Sequence, residues 1–354
     1  MSLLFFSTDE KMNMISDKVM ERHFELDPKL RLEYNDRRRR LMYEDILYNL
    51  ESLGVATKFN DKKIFTDYAV WVYVLLCYIM KDLGPDRVKV HMKDHYKILI
   101  NVLKEYMSES DFKLAEEFLN AAIVATEFTD INEPSNMLFE SGKYIDEKVN
   151  YLKFLLSNNY REASLIIESM IDAGVPIEDI YVDVIQEVMY EVGNLWHKSI
   201  ITVDREHYCT SATQRILSQF YPIIFGTPKN DLSVLSSCVG SELHEMGVRM
   251  LSDLFEYEGW DSIYLGAAVP KQFIIKSIAE SDPELIVLSV TMPSHLALCH
   301  EIVNEIRDKF PGKKIAVGGR AFQLTDKLWE KWDVDIYTID ARDLIKWAKE
   351  NFKQ

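Results

Sequence analysis

The residues with the clearest chemical potential lie in the segment from Gly240 to Gly247, GSELHEMG. His244 offers a neutral imidazole, a good donor to a transition metal, whose basicity depends on what holds its second ring nitrogen. Glu242, two residues earlier, is placed to be that acceptor. Gly247 lets the chain turn tightly or lets something bulky approach the backbone. Taken alone, such a histidine reads equally as a polar loop residue, and only its context can decide.

A second constellation lies upstream. Trp196 is followed at once by His197 and, after nine intervening residues, by Glu206 and His207. Alone, this is a core tryptophan with a solvated Glu-His pair, and a histidine at a helix C-terminus is favourable to the dipole.

The elements that must position these residues change in type along the chain. From about Thr8 to Phe128 apolar residues recur three and four apart, as in Tyr43, Ile46, Leu47, Leu50 and Leu53, which predicts about five helices. Breaks are expected at Leu26 to Pro28, Gly54 to Asn60 and Gly84-Pro85. A polar linker, Thr129 to Tyr144, follows. Residues from about Asp146 to Phe225 predict four more helices, the third from Ile177 to about His197. Thr202 is the expected N-cap of the next, its hydroxyl accepting from first-turn N–H groups, with Asp204 favourable near the positive end of the dipole. Trp196 then ends one helix, and Glu206 and His207 lie in the first turns of the next.

Beyond Asp231, five β-branched and aliphatic runs (LSVLSSCV, SIYLGA, LIVLSV, KIAVGG and DIYTI) alternate with amphipathic helices. That rhythm predicts a five-stranded parallel, doubly wound sheet, with ligands bound beyond the carboxyl ends of the strands. The loops after Val239, Ala267, Val290 and Val317 are the places to look, and the first holds His244.

In that setting the loop resembles the DxHxxG signature of the Rossmann-like cobalamin-binding fold. Two further elements match in order. The family's Ser-x-Leu stands here as Ser289-Val290-Thr291, and its Gly-Gly as Gly318-Gly319. The resemblance covers about 120 residues and implies that His244 is the lower axial cobalt ligand, displacing the corrin's own benzimidazole. The nucleotide tail then enters the sheet, with the Ser289 hydroxyl facing the benzimidazole and the two glycines beside the tail. Glu242 replaces the commoner aspartate and Thr291 the leucine, departures that touch the packing of the tail and remove no axial ligand.

The Trp196-x9-Glu206-His207 spacing resembles the helical cap of cobalamin-dependent photoreceptors, including the MerR-type light-sensing repressors, which bind adenosylcobalamin in the dark. That resemblance implies that Trp196 covers the upper ligand, that Glu206 hydrogen-bonds its ribose hydroxyls and that His207 lines the same pocket. An aromatic face stacks on adenine, and a carboxylate satisfies hydroxyls otherwise buried unpaired. It also implies a role for His197, as upper cobalt ligand after light has broken the cobalt–carbon bond.

The segments RRRRLMYEDILYNLESLG and KIFTDYAVWVYVLL resemble, by looser apolar and aromatic spacing, the N-terminal helical region of photocobilins, which bind a linear tetrapyrrole such as biliverdin. The resemblance implies a globin-like bilin-binding domain over 8–128, a four-helix cap over 145–225 and a cobalamin-binding domain over 231–354. Arginines from Arg37 to Arg40 would meet bilin propionates, and Tyr68, Trp71 and Tyr73 the rings. Read from the residues, the arginines are a solvated face, the aromatics are core, and Cys77, inside an apolar run, is an inert buried thiol.

Composition narrows the alternatives. Against 41 basic side chains stand 57 acidic ones, a formal charge of −16, which opposes attraction to phosphate backbones or anionic lipid. Neither direct nucleic-acid binding nor a membrane partner is expected. The longest apolar run, Ala69 to Met80, is well short of the roughly 20 residues a bilayer span needs and predicts a buried helix. The start, MSLLFFSTDEK, lacks a basic n-region and a cleavage site, and the four cysteines are dispersed without a C-x-x-C pair, so a reducing cytoplasm is expected.

The leading expectation is therefore a light sensor and not an enzyme. With no kinase, cyclase or DNA-binding segment in the sequence, its output is expected to pass through self-association or a separate partner. The competing expectations are a corrinoid carrier for methyl transfer and a light-independent cobalamin sensor or store. A bulky tryptophan over the cobalt suits methyl transfer less well than a small residue would.

Overall fold

The computed structural model describes residues 9–131, 139 and 142–352, the side chain of Glu33 excepted. The first eight residues, read above for an export signal, and most of the linker Thr129–Tyr144 lie outside the described residues. The chain divides into two compact units, one of Met1–Asn132 with Leu324–Leu328, the other of Glu133–Gln323 with Trp329–Gln354.

The first unit is helical: α1 (Glu10–Leu26), the one-turn α2 (Leu30–Glu33), α3 (Asp36–Phe59), α4 (Lys62–Ile79), α5 (Pro85–Tyr106) and α6 (Glu109–Phe128). Side-chain oxygens of Asp9, Asn35, Asp61 and Ser108 accept first-turn N–H groups of α1, α3, α4 and α6, supplying partners the helix itself cannot. The break expected between Gly54 and Asn60 falls at the far end of that interval. α3 runs through Gly54 because Leu50, Leu53, Val55 and Ala56 around it are buried, and it stops where Asn60 turns left-handed at φ 49°. The apolar run from Ala69 buries one stripe of α4, Ala69, Tyr73 and Cys77, at successive fours. Among the described residues, no helix is long and apolar enough to cross a membrane.

The second unit begins with four helices: α7 (Ile145–Leu156), α8 (Tyr160–Asp172), a long helix over 177–197, and α11 (Val203–Leu217). The long helix is not α-helical throughout. It opens as α9 (Ile177–Asp179), widens to a π-helical stretch (Ile180–Gln186) and resumes as α10 (Glu187–His197). Such inserts are short and frequent at functional sites. Thr202 does occupy the N-cap position of α11 in extended conformation, but its side chain caps no backbone N–H. Its hydroxyl instead bonds the Asp204 carboxyl and holds it below the usual range. The side chain two residues on outcompeted the backbone for the same hydroxyl.

After the short α12 (Tyr221–Ile224) come the five strands, β1 (Ser233–Cys238), β2 (Asp261–Gly266), β3 (Leu285–Ser289), β4 (Lys314–Gly318) and β5 (Ile336–Tyr337), with α13 (Met246–Tyr257), α14 (Lys271–Ser281), α15 (Leu296–Lys309), α16 (Arg320–Gln323) and α17 (Ala341–Asn351) between and after them. All pairings are parallel, in the order β2-β1-β3-β4-β5. The helical region followed by a doubly wound parallel sheet is the architecture the sequence predicts. One continuous core joins the four helices to the sheet: Tyr151, Val184, Val188, Ile216 and Phe220 belong to the same buried cluster as Val234, Phe255 and Leu285. Because the connections from β1 and β3 leave in opposite directions, a crevice opens beyond their carboxyl ends.

Candidate functional site

Two loops meet at that crevice. The one after β1 carries Gly240, Glu242 and His244, and the one after β3 carries Thr291, Met292 and His295. Glu242 is buried, and its two carboxylate oxygens accept the backbone N–H groups of Thr291 at 2.8 Å and Met292 at 2.9 Å. A second contact ties the loops together. Gly240 has φ +87°, and a Cβ there would lie 2.5 Å from Cγ of His295, so the imidazole of His295 rests on the backbone where the first loop starts.

His244 stands on this base. Its Nδ1 is 3.4 Å from Oε2 of Glu242, and its side chain is 59 % exposed whereas that of Glu242 is 1 % exposed. A buried carboxylate fixed by two backbone donors thus faces one ring nitrogen, an arrangement that favours a proton on Nδ1 and leaves Nε2 as the nitrogen for any other partner. Glu242 is thus the buried group that faces the His244 ring. Its anchoring uses the backbone of Thr291, so the side-chain type at 291 does not enter this contact.

The other sequence-identified residues distribute around the crevice. Ser289 ends β3 half-buried, paired in register with Cys238 on one side and Gly318 on the other. Gly319, φ +95°, leaves no room for a side chain, since its Cβ would lie 2.3 Å from the Val290 oxygen. Gly247 is different: it lies in the first turn of α13, and a Cβ there meets nothing within 4 Å. Gly247 is helical, so the tight-turn reading is not what the chain uses.

On the helical side, Trp196 and His197 close α10, both half-buried, while Glu206 and His207 lie in the first turns of α11. The Glu206 carboxylate is oriented from its own helix. Oε1 accepts from the Thr210 hydroxyl at 2.8 Å, and Oε2 lies 2.6 Å from Nδ1 of the exposed His207.

Three residues that sequence reasoning missed also converge here. Glu245, next to His244, accepts at Oε1 from Nε2 of Gln214 in α11 at 3.2 Å and at Oε2 from the Tyr264 hydroxyl in β2 at 3.1 Å. The second, His295, has a buried Nδ1 with no hydrogen-bond partner, and the third, Ser236 in β1, has a buried Oγ in the same condition. Unmatched polar atoms of this kind are costly and call for a ligand or water. His295 is held neutral by burial, which pushes its pKa down. Among the described residues, no group of three or more His, Cys, Asp or Glu side chains could hold a metal ion by itself.

Residues 232–343 match the family model described as a B12 binding domain, and residues 151–221 match a second model of the same description. The chain carries B12-binding domains. The matches cover the sheet with its loops and most of the helical cap that precedes it, and they make a cobalamin, or a corrinoid like it, the cofactor class of this second unit. A donor set of one imidazole backed by a buried carboxylate fits that group, because the corrin supplies four equatorial nitrogens and leaves axial positions for protein or solvent.

Among solved structures, the monomethylamine corrinoid protein of Methanosarcina barkeri is similar over 58 % of this chain and 99 % of its own, at 18 % identity and a TM-score of 0.52. That likeness is one of fold. A cobalamin-binding protein of Desulfitobacterium hafniense DCB-2 aligns at 16 % identity over 56 % of this chain and 96 % of its own, and the methanol:cobalamin methyltransferase complex of M. barkeri at 16 % over 70 % and 90 %, each with a TM-score of 0.33. No curated protein matches the chain.

Proposed function

We propose that the chain is a cytoplasmic light sensor, with no enzymatic step of its own, that holds adenosylcobalamin between the helical cap and the sheet. His244 is the lower axial ligand, tuned by Glu242. Trp196 covers the upper ligand, Glu206 takes its ribose hydroxyls and His207 lines the same pocket. Ser289, Thr291, Gly318 and Gly319 receive the nucleotide tail, and Gly247 gives the corrin room beside α13. When bound, the cofactor supplies a cobalt–carbon bond that visible light can break. His197, one residue beyond Trp196, then stands ready on the upper side.

One observation carries this reading. Trp196 ends one helix, Glu206 opens the next across a five-residue turn, and both belong to the same compact unit as the His244 loop. An upper-face aromatic and carboxylate thus share one body with a carboxylate-backed imidazole. The first unit is the candidate for the bilin of this proposal, with biliverdin the ligand to supply. Tyr73 and Cys77 are buried there, and burial raises the Cys77 thiol above its usual range, which argues against covalent attachment at that residue.

The test is an absorption spectrum of adenosylcobalamin-loaded protein, purified in the dark, before and after green light. A light-induced change that His197→Ala alters only in the illuminated state supports the sensor. Unchanged bands sink it and leave a methyl carrier or a dark cobalamin store. His244→Ala is expected to give a base-off or weakly bound cofactor, and a normal histidine-ligated spectrum in that variant would remove the ligand assignment.

A further inference from the structure

The loop that presents His244 runs straight into α13, and one stripe of that helix is bonded to the cap. Glu245 accepts from Gln214 of α11 at 3.2 Å. Four residues on, Nη2 of Arg249 donates to the Tyr221 hydroxyl at 2.7 Å and lies 3.4 Å from the Ser218 hydroxyl. Four further, Asp253 accepts from the Tyr181 hydroxyl of the π-helical stretch at 3.2 Å. Residues four apart lie on one helix face. The cap shows the same spacing from its side, since Glu206, Thr210 and Gln214 are also successive fours on α11, and Thr210 bonds Glu206. The two stripes meet at the Gln214–Glu245 contact.

We infer that Glu245 is a positioning residue that couples the cap's hold on the upper face of the cofactor to the axial bond made by His244, with Gln214 as the link. The inference rests on the reading of His244 as lower ligand and Glu206 as an upper-face contact. A helix is stiff along its axis, so a displacement of α11 at Glu206 is carried the roughly 12 Å of eight residues to Gln214. There it acts on a carboxylate whose other oxygen is fixed to β2 by Tyr264, and whose backbone is continuous with that of His244. A shift of the cap must therefore either break an amide-to-carboxylate hydrogen bond or turn the residue next to the axial ligand. The coupling is reciprocal: the state of the His244 bond biases the cap by the same factor.

The test compares two cobalamins on the full chain: adenosylcobalamin, whose bulky upper ligand reaches the cap, and hydroxocobalamin, whose upper ligand does not. The histidine-on to histidine-off ratio is read from the visible spectrum, with cofactor affinity measured beside it. Gln214→Ala is expected to lower the ratio about tenfold for the adenosyl form, the scale of one charge-assisted hydrogen bond, and by less than twofold for the hydroxo form. Glu245→Gln keeps an acceptor for Tyr264 and can pair with Gln214 by turning its amide, so it is expected to stay near the unaltered protein. If Gln214→Ala fails to fold, Gln214→Leu, which keeps the side-chain volume and cannot donate to Glu245, is read in its place with the same expected fall. An equal fall in both forms would show a merely structural contact, and no change in either would show no coupling; each overturns the inference. If the unaltered chain gives no histidine-on spectrum with either cobalamin, the assignment of His244 fails instead, and the coupling with it.

Discussion

Gly319 packs backbone to backbone against Val290, so closely that a Cβ on Gly319 would lie 2.3 Å from the Val290 oxygen. The contact joins the ends of β3 and β4 at the crevice, where Val290 also donates to the Gly318 carbonyl and accepts from Ala321. With φ +95°, alanine at 319 is both strained and overpacked, an expected loss of about 2–4 kcal/mol. Gly247→Ala should behave oppositely. Its Cβ enters open space in a helical turn, so stability should hold or rise by up to about 1 kcal/mol, while cobalamin affinity falls because the methyl occupies the cofactor's approach. Urea unfolding and cofactor titration on the two variants check the contrast. A stable Gly319→Ala, or a Gly247→Ala with full affinity, would contradict it.

The helical unit, the five strands and the His244 loop were legible because each has a strong local signal: apolar residues at threes and fours, β-branched runs, and a polar loop directly after a strand. Other parts have none. The π-helical stretch keeps its apolar residues near α-helical spacing, so Ile180, Val184 and Val188 give no warning of it. Glu206, Thr210 and Gln214 carry no signal that sets them apart in the sequence, and that the last of them meets Glu245 depends on a contact between residues 31 apart. His295 lies in a Pro-Ser-His turn with no periodicity, and only the folded chain brings it onto Gly240. Thr202 failed as a side-chain cap because Asp204 competes for its hydroxyl, a rivalry two residues long that position statistics do not resolve.

Burial raises Asp253 to a pKa of about 6, with Glu256 adding to the rise and the Tyr181 hydroxyl and Arg249 opposing it. Between pH 4 and 6 the folded chain thus keeps a proton that the unfolded chain has released, so stability falls as pH rises through this window. At neutral pH the ionised carboxylate costs about 3 kcal/mol relative to an ordinary one. Asp253→Asn keeps an acceptor for Tyr181 and cannot ionise. It should be about 1–3 kcal/mol more stable than the unaltered protein above pH 7 and equal to it near pH 4. Denaturant unfolding of both proteins across that range measures the difference, and a pH-independent difference would refute the assignment.

In the first unit, His23 and His95 stack with ring centroids 5.2 Å apart, and Nε2 of His23 is 3.0 Å from Nδ1 of His95. Burial lowers them to about 4 and about 3, and His23 further depresses its partner. The unfolded chain protonates both rings below pH 6.5 and the folded chain refuses. Their contribution is therefore whole above pH 6.5 and is lost as pH falls toward 4, by about 1.4 kcal/mol per ring for each pH unit. Trp71, the one tryptophan of this unit, reports its unfolding. The slope between pH 6 and 5 should approach two protons and drop to one in His95→Phe. A flat profile would show that the pair takes up protons while folded.

Glu242 has two duties, and they separate by substitution. Its carboxylate accepts from the backbone at 291 and 292 and faces Nδ1 of His244 at 3.4 Å. Glu242→Gln leaves one oxygen to accept and turns an NH2 group toward an N–H, so one buried donor goes unmatched at about 1–3 kcal/mol. If His244 ligates cobalt as proposed, the charge behind its ring is gone as well, and partners of this kind change metal affinity by roughly 10- to 100-fold. Thr291→Val alters the neighbouring side chain but keeps the backbone N–H that anchors Glu242. The two variants should therefore diverge: Glu242→Gln shifts bound hydroxocobalamin toward the histidine-off spectrum, whereas Thr291→Val leaves it histidine-on. If Thr291→Val also moved to the histidine-off form, the anchoring of His244 would run through the Thr291 side chain and not through the backbone that Glu242 grips.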